Sequence, residues 1–294
     1  MSDGSAMSAI SNGAPERAIL AVADLHVEAI DNRRFVQRLR PAHDGDWLVL
    51  CGDVGEEMAD VEWALATVAG RFERVIWVPG NHELWTTPSD RVQLRGEARY
   101  RHIVGTCRGL GIATPEDPYP VWSGPGGPLV VAPLFTLYDY SFGANVAPTK
   151  RESLARAHAA GVVCSDEIVL HPDPYPSREE WCRARLRVTE RRLAAMAAEG
   201  TPAMLVNHYP LLPELTRPLL RPEFAQWCGT VATADWHTRF NAAVVIYGHL
   251  HIPRTTVHDG VRFEEVSLGY PLERRRRLQG PRLPRCIVPA GGRG

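Results

Sequence analysis

Residues 75–83, with the sequence VIWVPGNHE, place a polar cluster directly after a short apolar run. The same arrangement recurs along the chain. Short apolar runs between turn residues are typical of strands that are buried on both faces. The runs that we interpret as strands cover residues 18–23, 47–51, 75–78, 129–132, 203–206, 243–247 and 262–267.

Segments with helical character lie between these runs. The longest of them begins with Ser177 and has Glu180 three residues later, which is a capping-box pattern. The alternation of strands and helices predicts an α/β fold. In open α/β sheets, ligands bind beyond the carboxyl ends of the strands, which is where the polar clusters of this chain lie. The predicted helices cover residues 33–39, 61–69, 89–99, 151–160 and 177–198.

Composition divides the chain into three parts. Residues 1–16 are rich in Ser, Gly and Ala, and we expect them to be disordered. Residues 17–272 form one predicted domain, and the Arg- and Gly-rich residues 273–294 are expected to be a flexible tail. Within the domain, residues 110–148 are rich in Gly, Pro and aromatic side chains. We interpret this region as an ordered loop around one strand, and the sequence leaves open whether it is a lid.

The bulk composition argues against several functional classes. The 294 residues carry a formal net charge of only −1, so a general attraction to nucleic acid or to an anionic membrane is not expected. No apolar stretch approaches the ~20 residues of a membrane span, and the N-terminus lacks the pattern of a signal peptide. Six cysteines without a CxxC pair favour a reducing compartment. We therefore expect a cytoplasmic protein.

The polar clusters contain side chains of the types that bind metal ions. Asp24 and His26 are two residues apart, so both face the same way in an extended segment. Asp53 follows a glycine, and its two carboxylate oxygens allow it to bridge two cations. Neutral amide and imidazole donors complete the set, and these are Asn81, His208, His249 and His251.

Each cluster alone has an ordinary explanation, but the combination does not. Gly-Asp is a common turn dipeptide, and a single interior histidine is more often a structural residue. All the clusters together, each after an apolar run, predict a site for two metal ions. Nitrogen and oxygen ligands without a thiolate favour Mn, Fe or Zn at an open catalytic centre. Spacing alone does not decide which of His249 and His251 serves which ion.

The order of the clusters, DxH, GD, GNHE, H and GHxH, resembles the calcineurin-like metallophosphoesterase superfamily over roughly residues 18–270. This resemblance implies a four-layer α/β/β/α sandwich. It also implies that Asp53 bridges the two metals and that His82 is a catalytic residue rather than a ligand. Carried over by position, one metal would be bound by Asp24, His26 and His251, and the other by Asn81, His208 and His249.

The chemistry that the resemblance implies is hydrolysis of a phosphoester. Two divalent or trivalent cations about 3.5–4 Å apart lower the pKa of a shared water, so that a bridging hydroxide attacks phosphorus at neutral pH. They also neutralise the phosphoryl oxygens. His82 would assist the leaving group, because the pKa of an imidazole lies near neutrality.

A closer similarity extends to positions outside the metal clusters. The segments 77–87, 137–142, 233–239 and 247–255 are similar to an actinobacterial subgroup of metallophosphoesterases. This subgroup includes enzymes that remove 4′-phosphopantetheine from acyl or peptidyl carrier proteins. The similarity therefore implies a phosphodiesterase whose partner is a holo carrier protein.

Two other functions are compatible with parts of the sequence. A phosphatase or phosphodiesterase for nucleotides, phosphoproteins or small metabolites would use the same metal clusters, because those clusters indicate chemistry rather than specificity. A scaffold of the same fold would have lost metal ligands. The complete set of seven ligand positions and His82 disfavours that second alternative.

Four further residues are candidates for contacts with the substrate or with the metal ligands. Arg254 lies just after the last histidine cluster, where it is placed to meet a phosphate. Tyr138 and Asp139 belong to an aromatic run that follows a predicted strand and is a candidate lining of a substrate groove. His237 is a candidate for orienting a metal ligand, and for both it and the aromatic run a purely structural role is an equally good interpretation.

Overall fold

The computed structural model describes residues 16–145, 149–277 and 282–289, which form two β-sheets flanked by helices. The strands are β1 (Ile19–Val22), β2 (Trp47–Cys51), β3 (Arg74–Val78), β4 (Val121–Trp122), β5 (Leu129–Pro133), β6 (Ala203–Val206), β7 (Ala242–Tyr247), β8 (Arg254–His258), β9 (Val261–Glu265) and β10 (Arg285–Val288). The α-helices are α1 (Ile30–Arg38), α2 (Met58–Ala69), α3 (Gly96–Gly109), α4 (Lys150–Ala159), α5 (Asp166–Val169), α6 (Arg178–Ala197), α7 (Trp236–Arg239) and α8 (Pro271–Arg276).

Each of the two sheets has parallel strands at its centre. In the first sheet the order is β10-β1-β2-β3, with β1, β2 and β3 parallel and β10 antiparallel to β1. In the second sheet the order is β4-β5-β6-β7-β9-β8, and β5, β6, β7 and β9 are parallel. Parallel strands place their carboxyl ends at one edge of a sheet, so the loops that follow β1, β2 and β3 lie side by side.

Alternating strand residues separate two apolar layers. Val49 and Ile76 of the first sheet belong to one buried cluster with Val131 and Met204 of the second sheet. Residues of the opposite parity, such as Leu50 and Trp77, pack instead in a cluster that contains the apolar faces of the helices. The strands β1, β2, β3, β5, β6 and β7 are therefore apolar on both sides, which is why they appear as continuous apolar runs. The predicted α/β class and the α/β/β/α layering are confirmed.

Backbone hydrogen bonds join the two sheets next to the carboxyl ends of their strands. The N–H of Ala23, just after β1, donates to the carbonyl of Val266 (3.0 Å), and the N–H of Leu268 donates to the carbonyl of Ala23 (2.8 Å). The thiol of Cys51, at the end of β2, donates to the carbonyl of Asn207, which follows β6 (3.1 Å). These contacts bring the loops after β6 and β7 beside those after β1 to β3.

Most predicted helices match the structure, and one does not. The hydroxyl of Ser177 accepts a hydrogen bond from the N–H of Glu180 at the start of α6, as the capping pattern indicates. The helix predicted over 89–99 is wrong, because α3 begins only at Gly96. The carboxylate of Asp90 accepts from the N–H groups of Met58 (3.0 Å) and Val92 (2.9 Å), which holds this segment in a turn.

The prediction of a flexible tail over 273–294 is wrong for the part that the structure describes. Residues 273–276 belong to α8, and β10 pairs with β1 through Ile19↔Val288 and Leu20↔Cys286. Pairing with β10 covers backbone groups that β1 would otherwise expose at a sheet edge. Residues 278–281 and 290–294 of this tail, and residues 1–15 of the predicted disordered segment, lie outside the described residues.

The loop region predicted at 110–148 contains more regular structure than expected. It contributes β4 and β5 to the second sheet, and Phe135 and Tyr138 are buried in the core.

Within the parts of the chain that the structure describes, none of the helices combines the length and the apolar character needed to cross a bilayer.

Replacement of Ile287 tests whether the C-terminal strand contributes to stability. Ile287 in β10 is fully buried between the sheets, so Ile287→Ala should lower the free energy of unfolding by about 2–5 kcal/mol. Denaturant titration measures this, with Val257→Ala as the matched control, because Val257 is 66% exposed and should change stability by less than about 0.5 kcal/mol. Equal stability of Ile287→Ala and wild type would show that β10 is not docked in solution.

Candidate metal centre

Side chains from the loops after β1 and β7 form the first group of metal-ligand atoms. Nε2 of His251 lies 3.1 Å from Oδ1 of Asp24 and 3.2 Å from Nε2 of His26. The three ligand atoms lie within 4.8 Å of one another, and Asp24 and His26 are fully buried. A carboxylate and two imidazoles at this spacing suit a transition-metal ion.

The second group combines the loops after β2, β6 and β7. Nε2 of His208 lies 3.2 Å from Nδ1 of His249 and 3.4 Å from Oδ2 of Asp53. The same Asp53 oxygen is 3.9 Å from Nε2 of His26, in the first group. Asp53 therefore lies between the two groups, at the position that a bridging carboxylate would occupy.

Asn81 adds an oxygen that the protein leaves without a partner. Its amide nitrogen donates to Oδ1 of Asp166 (2.9 Å), whereas its Oδ1 is buried and accepts no hydrogen bond among the described residues. Unpaired buried polar atoms are costly, and a cation would satisfy this one. Asn81 lines the same cavity as Asp53, His249 and His251, so the residues present fit a pair of metal ions.

The backbone at the ligand positions is held in an unusual conformation. Five of the seven predicted ligands have positive φ angles, a region that residues other than glycine seldom occupy. Such conformations persist where surrounding contacts impose them, and they concentrate at functional sites. The φ values are 54° for Asp24, 40° for His26, 54° for Asp53, 70° for His249 and 55° for His251.

The glycines beside the ligands provide space for close approach. A Cβ atom at Gly80 would lie 2.0 Å from Oδ1 of Asp53, and one at Gly248 would lie 2.5 Å from Oδ2 of Asp24. The φ angle of Gly80 is not in the positive range, so the backbone conformation does not require a glycine there. Glycine is required at this position for steric reasons, because any side chain there would displace the carboxylate of Asp53.

Glu83 links two ligand loops and was not singled out from the sequence. Its buried carboxylate accepts hydrogen bonds from the N–H groups of Asp53 (2.9 Å), Val54 (3.0 Å) and Gly80 (3.0 Å). Burial and the nearby charge of Asp53 raise the pKa of Glu83 to about 7. The only signal in the sequence is its place at the end of the GNHE cluster.

Residues of the C-terminal segment support the first group. Oε2 of Glu273 lies 2.8 Å from Nδ1 of His251, which leaves Nε2 of that ring facing Asp24. The ring of Tyr270 stacks on His26 with centroids 4.3 Å apart. Such outer contacts fix the orientation of metal-binding imidazoles.

Three of the predicted ligands, Asp24, Asp53 and His249, have protonation states that suit cation binding. Burial opposes ionisation of Asp53, but the adjacent His208 outweighs it and holds the Asp53 pKa well below its usual range. The pKa of Asp24 is lowered in the same way, because the effect of His251 outweighs the opposing effect of burial. Burial together with the charge of His208 lowers the pKa of His249 to about 3. The carboxylates are therefore anionic and His249 keeps a free nitrogen lone pair at neutral pH.

His82 lies beside the cluster with its ring fixed on two sides. Its backbone N–H donates to Oδ1 of Asp53 (2.9 Å), and its Nε2 is 3.7 Å from Oδ2 of that residue. Nδ1 is 3.2 Å from Oε1 of Glu56, and the Trp85 ring lies against the imidazole with centroids 3.6 Å apart. A ring nitrogen of His82 lies within 4.8 Å of ligand atoms of His26 and Asp53, so His82 is by position also a candidate metal ligand.

The four candidates outside the clusters are not among the residues that line the cavity at the metal centre. Nη2 of Arg254 donates to the carbonyl of Leu215 (2.7 Å), and His237 contacts Asp259 (3.1 Å) on the β8–β9 hairpin. Asp139 accepts from the hydroxyls of Ser141 (2.5 Å) and Thr230 (2.8 Å), which is a structural role. Their predicted contacts with substrate or with a ligand are therefore not supported.

Tyr138 does not line the cavity at the metal centre, in contrast to the groove-lining position expected from the sequence. It is fully buried, and its ring packs edge-on against Tyr140 and Tyr209. It also interacts electrostatically with Asp166, which binds the amide of Asn81. Tyr138 thus lies in the core rather than in the wall of the cavity, which only the three-dimensional arrangement reveals.

A cavity of about 370 Å³ opens over the cluster. Its floor includes Asp53, Asn81 and His82, and its walls include aromatic and aliphatic side chains. None of the described residues between 110 and 148 lines it. The wall residues with large apolar groups are Trp85, Val163, Leu219, Phe224, Leu250 and Tyr270.

The family profile of the calcineurin-like phosphoesterases matches residues 17–253, which include all seven predicted ligands and His82. This chain belongs to the calcineurin-like phosphoesterase family. The match covers both sheets apart from the hairpin and C-terminal strands, and members of this family are metal-dependent hydrolases. The predicted enzyme class is therefore confirmed.

Two comparisons give similar proteins in more detail. The chain is 50% identical over 262 residues to the [acyl-carrier-protein] phosphodiesterase PptH of Mycobacterium tuberculosis, covering 89% of this chain and 81% of that protein. The crystal structure of phosphopantetheinyl hydrolase (PptH) from M. tuberculosis superposes with a TM-score of 0.91 at 47% identity. This superposition covers 96% of this chain and 99% of that chain.

A third match carries no argument. The structure of vacuolar protein sorting 29 from Cryptosporidium parvum aligns with 86% of this chain and 74% of that chain, at 10% identity. Its TM-score of 0.29 is too low to support an inference about fold or function.

Removal of the bridging charge should affect both metal groups. Asp53→Asn keeps the size of the side chain but replaces a carboxylate that faces both groups with a neutral amide. We expect the purified variant to hold clearly less than two equivalents of metal, measured by inductively coupled plasma mass spectrometry. Two full equivalents bound as tightly as in wild type would contradict a bridging role.

Removal of Glu273 should affect only one metal group. Glu273→Ala deletes the carboxylate on Nδ1 of His251, so the affinity for one ion should fall about 10–100-fold. Titration with a competing chelator measures this loss, and Glu273→Gln should lie in between because its amide oxygen can still accept from Nδ1–H. The exposed Glu199→Ala is the control. Equal weakening of both ions would contradict a contact that is specific to the first group.

Proposed function

We propose that this protein hydrolyses the phosphodiester that joins 4′-phosphopantetheine to a serine of a carrier protein. The observation that supports this most directly is the convergence of seven predicted ligands and His82 in a chain so similar to an acyl-carrier-protein phosphodiesterase. The ligand cluster supports the reaction class, and the similarity supports the substrate. A holo acyl or peptidyl carrier protein is the partner that follows.

The proposed cofactor is a pair of transition-metal ions bound by Asp24, His26, Asp53, Asn81, His208, His249 and His251. When bound, such a pair supplies positive charge for the phosphoryl oxygens and a hydroxide nucleophile at neutral pH. Mixed nitrogen and oxygen donors without a thiolate favour Mn, Fe or Zn. His249 is neutral and Asp53 is ionised at neutral pH, whereas His208, whose pKa Asp53 raises to about 10 against the effect of burial, would release a proton when a cation binds.

The proposed role of His82 is to protonate the leaving serine oxygen. Contact of Nδ1 with Glu56 fixes the ring so that Nε2 is on the side of Asp53 and the cavity. Burial disfavours the imidazolium, but Asp53 and Glu56 outweigh it and raise the pKa of His82. More of the residue is therefore protonated at neutral pH. In the reaction the bond from phosphorus to the serine oxygen breaks, the oxygen takes the proton, and phosphopantetheine keeps the new oxygen from water.

The cavity walls suit the remainder of the arm. The pantetheine chain is a neutral, flexible diamide, and the large apolar side chains Trp85, Leu219, Phe224 and Leu250 offer surface for it beside the phosphate position.

The proposed catalytic domain is residues 17–272, with β10 completing its first sheet. We infer a cytoplasmic location, which the six cysteines, free in the described structure, support.

Mass spectrometry of a holo carrier protein tests the proposal directly. Incubation with the enzyme and manganese should remove the mass of the phosphopantetheine group, and a chelator should abolish the loss. No loss of mass combined with hydrolysis of a cyclic nucleotide or a phosphoprotein would refute the substrate and favour the broader phosphoesterase function. No turnover of any phosphoester by metal-loaded protein would favour a scaffold.

Replacement of His82 distinguishes a general acid from a metal ligand. His82→Ala should keep both metal equivalents but lower kcat on the carrier protein by about 10²–10⁴-fold, because the serine alkoxide needs a proton. The loss should be much smaller on bis-4-nitrophenyl phosphate, whose nitrophenolate leaves without protonation. An equal loss on the two substrates together with missing metal would mean that His82 is a ligand.

A further inference from the structure

A second concave surface continues from the metal cavity. It is a groove of about 640 Å³ that shares part of its lining with that cavity, including His251 and Glu273. Because of this shared wall, a molecule in the groove would be in contact with the metal centre. The other residues that line both spaces are Val163, Leu219, Phe224 and Leu250.

The outer part of the groove combines exposed apolar and basic side chains. Leu220 is 97% exposed and Val163 is 76% exposed, which makes them unusual among the large aliphatic residues of the chain. Three arginines, Arg221, Arg276 and Arg277, lie beside them. Exposed apolar side chains next to a functional site, with polar residues around them, are typical of a surface for a protein partner.

The positive charge of the groove is not neutralised within the described structure. Arg221 and Arg276 form no ion pair with a described residue, and the Nη groups of Arg277 donate to the carbonyls of Leu268 and His251. The single carboxylate among the described lining residues, Glu273, is already bound to His251. In a chain with a net charge of −1, this is a local excess of positive charge.

We propose that this groove docks the carrier protein through carboxylates that pair with Arg221 and Arg276 and through an apolar patch that packs on Leu220. The inference rests on the proposed function and adds the surface that would recognise the protein part of the substrate. The partner surface is therefore acidic, with an apolar centre, and lies around the modified serine. Complementary charge would speed the encounter and set the orientation of that serine.

The charges favour the protein rather than the pantetheine arm as the occupant of the groove. Apart from its phosphate, which belongs at the metal centre, the arm is uncharged and has no group that would pair with two free guanidinium groups. The serine and the arm leave phosphorus in different directions, so each needs its own space. The cavity walls around Trp85 suit the arm, and the basic groove suits the protein.

Charge reversal in the groove provides the test. Arg221→Glu combined with Arg276→Glu should raise KM for the holo carrier protein about 10–100-fold and should flatten the dependence of kcat/KM on salt. The effect on bis-4-nitrophenyl phosphate should be far smaller, since that diester has no protein part. Arg277 is left intact because it holds the backbone of His251. Leu220→Asp tests the apolar contact in the same way.

Matched controls separate docking from changes in fold. Arg187→Glu with Arg191→Glu makes the same charge change on α6, in a cavity that shares no residue with the groove, and should leave KM for the carrier protein unchanged. Val257→Asp is the control for Leu220→Asp, because Val257 is 66% exposed on β8. Metal content shows that each variant is folded at the centre.

The possible results distinguish the two proposals. A wild-type enzyme that releases no phosphopantetheine refutes the proposed function itself. An active wild type with unchanged KM and salt dependence in the groove variants refutes the docking surface alone. Equal impairment on a short phosphopantetheinyl-serine peptide and on the whole carrier protein would show that the groove binds the arm instead.

Discussion

The structure depends on the junction of the two sheets beside the carboxyl ends of their strands. Hydrogen bonds from Ala23 to Val266 and from Leu268 to Ala23 hold the end of β1 against the loop after β9. The thiol of Cys51 and the ring of His208 make a second connection, from the end of β2 to the loop after β6. Without this junction each sheet would present only part of the ligand set, and no pair of cations would have enough donors.

Contacts in the surrounding structure offset the unfavourable free energy of the site. Buried carboxylates, close imidazoles and positive φ angles are each unfavourable alone, and they persist because neighbouring contacts impose them. Glu83 fixes the loops after β2 and β3 together, and Glu273 and Tyr270 fix His251 and His26 from the C-terminal segment. The fold is thus organised to hold donor atoms that a cation would stabilise.

The two proposals place chemistry and specificity in different parts of this surface. The seven predicted donors and His82, to which we assign the chemistry, lie on loops that the family profile covers. In the groove, Leu220 and Arg221 belong to a loop after β6, and Arg276 belongs to α8, which lies beyond the matched residues 17–253. Substrate recognition can therefore differ among relatives while the metal centre is retained.

The sequence alone predicted seven of the ten strands of the described structure and the candidate donor residues, because both depend on local pattern. The runs at Trp47–Cys51 and Ala203–Val206 coincide with β2 and β6, and the polar clusters follow the strand ends as the alternation indicates. Local pattern did not show that residues 285–288 complete a sheet, that Asp90 holds part of a predicted helix in a turn, or that Tyr138 is buried in the core. Only the tertiary structure decided these points, since they depend on which distant side chain or strand edge is within reach after the sheets have packed.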